Sequence, residues 1–173
     1  VFASGSQAVT TLSPNAPATF TTPDETFETF PFDIDGDGTD DFEFDVQAVG
    51  DCDSPATSPG RVAIDTLGAT QVADTVDNYA ALVSGSFPSG GETFATYTNF
   101  LGCSYDYNPT FEVGASGVSE SGFFGVQFEI DGETHNALVQ VQFEAGSLIT
   151  NVVTACFGSE PGEPVDSGTC IRL

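Results

Sequence analysis

The sequence predicts an all-β chain, an antiparallel β-sandwich or jelly roll with one short helix. Three observations point there. Short runs alternate apolar and polar residues, as Phe42, Phe44 and Val46 do with Glu43, Asp45 and Gln47. Clusters of Gly, Pro, Asn, Asp and Ser separate those runs at close spacing, the pattern of many short strands. Sixteen Phe within a 39% hydrophobic composition are enough for the core of one domain in 173 residues.

Taken in order, residues 1–24 are rich in Ser, Thr, Ala and Pro and almost without charge. They read as an extended N-terminal segment, with SQAVTTL as a strand suited to donation to a neighbouring sheet, ahead of a sandwich domain over residues 25–173. Phe30 and Phe32 lead into an acidic loop, and the alternating run from Phe42 leaves it, so the loop joins two strands. GDCDSPATSPG is a surface loop and RVAIDTL a short strand. GATQVADTVDNYAALVSG is the helical pattern: Val72, Val76, Tyr79 and Val83 recur at spacings of four, three and four, with Gly85 as a C-cap.

The clearest hairpin follows. Phe124, Val126, Phe128 and Ile130 share one face, Asp131-Gly132 suits a tight primed turn, and Ala137, Val139, Val141 and Phe143 share the returning face. SLITNVVTACF is the last strand, before a Pro- and Gly-rich tail.

Charge narrows the function classes. Twenty-six acids stand against two bases, Arg61 and Arg172, with no lysine, for a net charge of −24. Such a chain repels nucleic acid and anionic membrane surfaces and attracts cations; the same acidity fits solubility in high salt. No apolar run approaches the roughly 18 residues of a membrane span, so membrane insertion is not expected. Cys52, Cys103, Cys156 and Cys170 lie far apart without a Cys-x-x-Cys pair, which suits two disulfides better than a zinc site. The expected pairing is Cys52–Cys103 and Cys156–Cys170. Together with the absence of methionine, read as removal of a secretory signal peptide, this places the protein outside the cell or on its surface.

The segment DIDGDGTDDFEFDV carries seven carboxylates in fourteen residues. Calcium takes six to eight oxygen ligands from flexible loops, and alternate Asp side chains with Gly at the sharp turn supply them. Asp33, Asp35 and Asp37 stand at loop positions 1, 3 and 5, Gly38 at 6, Thr39 at 7 through its carbonyl, and Asp41 at 9. These five acidic and carbonyl positions are the expected Ca2+ ligands. Position 12 is Phe44 rather than the bidentate Glu of an EF-hand. The last ligand is therefore open between Glu43, Asp45 and a neighbouring loop such as Asp51/Asp53.

Other features carry less. Glu129, Asp131 and Glu133 flank a hairpin turn and read as a solvated face. His135 shares the parity of Val139 and Val141 and reads as a structural residue near a strand end. No Gly-x-Ser-x-Gly is present, and no pair of carboxylates is singled out for glycoside hydrolysis, so no enzymatic activity is expected.

The loop resembles the calcium loops of thrombospondin type 3 repeats. The order DIDGDGTDDFEF, YAALVSGSF, GFFGVQFEIDGETHNALVQVQF resembles secreted bacterial proteins with PEP-CTERM-type sorting signals, over roughly residues 27–145. Gly125, Phe128, Gly132, His135 and Val139 fit the late hairpin of that group; Asn136-Ala137-Leu138 replaces its Tyr-Gly-Trp. The resemblance implies an extracellular β-rich domain.

The functional expectation is a calcium-stabilised extracellular structural protein whose partners are copies of itself in a surface layer, matrix or filament. The alternative is a calcium-dependent carbohydrate-binding module that contacts extracellular glycans through Tyr97, Tyr105 and Tyr107. The lack of Trp removes the strongest sugar-stacking residue.

Overall fold

Two antiparallel sheets face each other across a phenylalanine-rich core, and a small third sheet covers the back of the larger one. The computed structural model describes residues 27–47, 60–74, 80–95, 99–104, 121–143 and 150–170. In chain order the strands are β1 (Phe27–Phe32), β2 (Phe42–Gln47), β3 (Gly60–Thr66), β4 (Gln71–Asp74), β5 (Leu82–Val83) and β6 (Ser86–Phe87). They continue with β7 (Thr93–Ala95), β8 (Asn99–Ser104), β9 (Ser121–Ile130), β10 (Glu133–Phe143), β11 (Thr150–Phe157) and β12 (Val165–Asp166).

The first sheet runs β1-β2-β3-β8 and the second β11-β10-β9-β4-β7, with β5 also pairing β9; β12 and β6 form the third. Every pairing is antiparallel, and among the described residues the sheets stay open rather than closing into a barrel. The predicted all-β sandwich character holds.

Alternation decides which faces meet. On β2, Phe42 and Phe44 turn inward; on β9 and β10, Phe124, Val126, Phe128, Ala137, Val139 and Val141 face them, and all are buried. Phe42 and Phe44 meet Phe124 edge-on, with ring centroids 5.9 and 6.3 Å apart, so aromatic contacts join the two sheets. The β9–β10 hairpin has the predicted register, Ile130 opposite Glu133. Its turn residues have φ of 53° at Asp131 and 83° at Gly132, the doubly positive backbone of a type I′ turn.

The opposite face of the second sheet is apolar too. Phe123 and Leu138 join Ala73, Phe87, Cys156, Val165 and Cys170 in a second buried cluster beneath the β6–β12 pair. Gly125 lies opposite Leu138 in the ladder. A Cβ there would run into the ring of Phe87, so the glycine makes room for that ring. Cys156 of β11 is bonded to Cys170, with Cα atoms 5.7 Å apart, as expected from the sequence. This bond ties the tail to the sandwich. Cys52 and the pairing expected between it and Cys103 lie outside what is described.

One prediction is overturned. No helix occurs among the described residues. Gln71–Asp74 is a strand, with Val72 opposite both Val126 of β9 and Ala95 of β7. Asp74 then bridges to Ala80, and Val83 pairs with Phe123. Val72 and Val83, expected on one helical stripe, belong to two strands on the same β9. The helical spacing gave way to main-chain pairing with a long neighbour, where β-branched residues pack well. The N-terminal segment 1–24 lies outside the described residues.

Candidate metal centre

The acidic loop begins where β1 ends. Phe32 and Phe42 are opposite each other in the β1–β2 ladder and stack with centroids 5.0 Å apart, closing the base of residues 33–41. Asp41 N–H donates to Phe32 O at 2.9 Å, and Leu67 N–H donates to Asp41 O at 2.9 Å, fixing the exit of the loop to β1 and to the turn after β3. Ile34 is fully buried in the main core and anchors the entrance. An exposed loop is thus held at both ends by the sandwich.

Within it, the Asp side chains fold the backbone around themselves. Asp33 accepts Gly36 N–H through Oδ1 at 2.6 Å and Gly38 N–H through Oδ2 at 2.8 Å. Asp35 accepts Asp37 N–H at 3.0 Å, and Asp37 accepts Thr39 N–H at 2.6 Å. Gly36 and Gly38 have φ of 80° and 93°, which side chains rarely tolerate, so the two glycines let the loop curl.

The result is convergence. Ligand oxygens of Asp33, Asp35 and Asp37 lie within 4.8 Å of one another. Oxygens bound to one calcium at 2.3–2.6 Å can be at most about 5 Å apart, so these three carboxylates fit a single coordination sphere. A carboxylate keeps lone pairs beyond those used for N–H groups. Three carboxylates leave the sphere incomplete; backbone carbonyls, second carboxylate oxygens and water are the remaining oxygen sources. The group can hold a metal ion, and no other such group of three acidic, His or Cys side chains occurs among the described residues.

Electrostatics agree with the geometry. Burial pushes the Asp35 carboxyl upward, and the charges of Asp37 and Asp33 push it further. Asp41 is pushed up to about 6, chiefly by burial, with repulsion from Asp35, Asp33 and Asp37 adding to it. Asp41 therefore feels all three members of the cluster. Its Oδ2 also accepts Ile34 N–H at 2.7 Å, which sequence spacing alone did not suggest. Thr39 is exposed on the loop, its N–H engaged by Asp37.

Among the proposed last ligands, Glu43 and Asp45 extend along β2, in register with Asp65 and Ala63 of β3. Asp51 and Asp53 lie outside the described residues. Phe44, at the twelfth position, is a core residue, which explains why the bidentate Glu is missing there.

The weaker candidates are placed as well. Glu129, Asp131 and Glu133 are exposed about the hairpin turn. His135 is buried, 6% exposed, opposite Phe128, and its Nδ1 lies 2.9 Å from Gly158 O. A carbonyl only accepts, so Nδ1 carries the proton and the imidazole fastens β10 to the segment after β11. Tyr97, Tyr105 and Tyr107 lie outside the described residues. One feature escaped the sequence reading: Glu92 accepts N–H groups from Ser89, Gly90 and Gly91 at 2.6–3.0 Å, organising the turn before β7.

Comparison with protein-family models, curated proteins and solved structures returned no match.

Proposed function

We propose that this protein is an extracellular structural subunit whose fold is stabilised by calcium in the 33–41 loop and which assembles with copies of itself. The observation that carries the reading is the convergence of Asp33, Asp35 and Asp37 within one calcium-sized sphere. Around it stand the raised carboxyls of Asp35 and Asp41, whose repulsion a bound cation relieves. The Cys156–Cys170 disulfide fits an oxidising, extracellular location. No helix among the described residues is long and apolar enough to cross a membrane.

Self-association needs a way round the net charge of −24. Cations bound at the loop lower that charge and hold the β1–β2 end of the sandwich rigid. The test is particle size by light scattering in millimolar calcium and then with a chelator. Large particles that dissolve on chelation are expected. A monomer in both conditions overturns the assembly part of the reading and leaves calcium as a fold staple.

A further inference from the structure

The tail that follows β11 forms a layer of its own. Among the described residues, the cluster between the two sheets draws its buried members from Ile34 to Ala155, with Phe157 at its rim, and takes none from residues 158–170. Those residues cross the back of the second sheet instead. There Val165 and Cys170 close the second cluster over Phe87, Phe123 and Leu138.

What holds this strap down is modest. Along residues 158–170 only Gly158, Val165 and Cys170 are buried. Gly158 N–H donates to Asn136 O at 3.0 Å, Gly162 N–H to Thr134 O at 2.9 Å and Ser167 N–H to Gly85 O at 2.9 Å. Asn136 Nδ2 donates to Glu163 O at 3.0 Å, His135 Nδ1 to Gly158 O at 2.9 Å and Gly85 N–H to Ser167 Oγ at 2.8 Å. β12 adds a short pairing with β6, Val165 opposite Phe87.

Ordering the strap costs conformational entropy at every residue. Two buried apolar side chains offset part of that cost, and the hydrogen bonds replace bonds to water and add little each. Glu160, Glu163 and Asp166 bring three more carboxylates, with no base in the strap, to a chain of net charge −24. The Cys156–Cys170 bond supplies the missing constraint, because Cys156 sits within β11 and tethers the far end of the strap to the sheet. The face beneath can meet water, since Gln127 and Asn136 stand beside Phe123 and Leu138 on it.

We propose that residues 158–170 are a redox-operated strap, docked when Cys156 and Cys170 are joined and released as a unit, with the two-sheet sandwich intact, when they are reduced. Closure is a thiol–disulfide exchange. One cysteine thiolate attacks an external disulfide such as oxidised glutathione and expels a thiolate; the other cysteine then attacks the mixed disulfide and expels the second. The two cysteines lose two electrons and two protons, and the external disulfide takes them up as two thiols. Both cysteines are fully buried once the strap is down, which shields the bond from reductants. The apolar face centred on Phe123 and Leu138 is thus open in a reducing compartment and covered in an oxidising one. The inference depends neither on calcium nor on assembly.

The test is amide hydrogen exchange, read by NMR on the oxidised full chain and on Cys170→Ser, which leaves every residue of both large sheets unchanged. In the variant, the Gly158, Gly162 and Ser167 amides are expected to exchange about 100-fold faster, the factor that a cross-link over so short a loop is worth. The β9–β10 ladder is expected to keep its protection, and the uncharged dye Nile red to bind the variant and not the parent. Strap amides that stay protected in the variant overturn the proposal. So does loss of protection across β9–β10, which makes the bond a staple of the whole fold rather than of a strap. A second variant, Cys156→Ser with Cys170→Ser, removes the free thiol and any wrong pairing it makes. The same split between strap and ladder is expected there, and its absence overturns the proposal.

Discussion

Asp41 Oδ2 accepts the backbone N–H of Ile34 at 2.7 Å, so the last acid of the loop is bonded to the residue that plugs its entrance into the core. The pair closes residues 33–41 into a ring and makes Asp41 both a charge near the cluster and a structural latch. Asp41→Ala leaves the Ile34 N–H without this acceptor, and a loss of about 1–3 kcal/mol is expected. Asp41→Asn keeps an acceptor and removes the charge, so in chelator it should be at least as stable as the parent. Chemical denaturation of both variants in chelator checks the difference.

Asp35 gives an effect of opposite sign with and without the ion. Its carboxyl is raised by burial and then by Asp37 and Asp33, so its charge opposes folding of the metal-free loop. Asp35→Asn should hold or raise Tm in chelator and weaken the response to calcium. For an extracellular-type site of about 10⁻⁴ M affinity, calcium at 100 times Kd stabilises the parent by about 2.7 kcal/mol. That corresponds to a rise of about 5–10 °C for a chain of this size. Thermal unfolding of parent and variant, each with calcium and with chelator, reads all four values.

The pH dependence of the metal-free chain has two limbs. Asp41 has a folded value of about 6 against 3.8 ordinarily, so its contribution is fully present below about 3.8 and is lost as pH rises through about 6. Glu92 behaves the other way. Desolvation pushes it up, but hydrogen bonds from the Ser89 side chain, backbone N–H groups of Ser89 and Gly90, and its own backbone outweigh this and lower it from 4.5 to about 2. Its contribution is present above 4.5 and lost as pH falls through about 2. Tm in chelator should therefore fall between about pH 4 and 6, a slope that Asp41→Asn reduces. The fall below pH 4.5 should be smaller in Glu92→Gln.

The Cys156–Cys170 bond closes a loop of separation 14 onto the second core. Replacing both cysteines with Ser should cost about 3 kcal/mol by loop closure in the unfolded chain. Equilibrium denaturation of the double variant measures it.

Gly125 and Phe87 form a size-matched pair across the same cluster. Gly125→Ala should cost about 1–3 kcal/mol through overpacking. Adding Phe87→Leu should recover part of that loss, and a double-mutant cycle gives the coupling.

What the sequence made legible was local. The β9–β10 hairpin followed from alternation and from Asp131-Gly132, and the acidic cluster that could hold a metal ion from three Asp in alternate positions, with Gly36 between two of them and Gly38 after the last. The errors and omissions were long-range. Val72, Val76, Tyr79 and Val83 kept helical spacing, yet Val72 and Val83 pair with Val126 and Phe123, some forty residues or more away. The latch between Asp41 and Ile34 and the seating of Phe87 over Gly125 depend on how the loop and sheets pack, which periodicity does not encode.

The most direct test of the central claim is calorimetric titration of calcium into the chelator-treated chain, beside a variant carrying Asp33→Asn, Asp35→Asn and Asp37→Asn. The account predicts calcium binding by the parent, with at least one site missing from the variant. No binding by the parent, or identical binding by both chains, would contradict it.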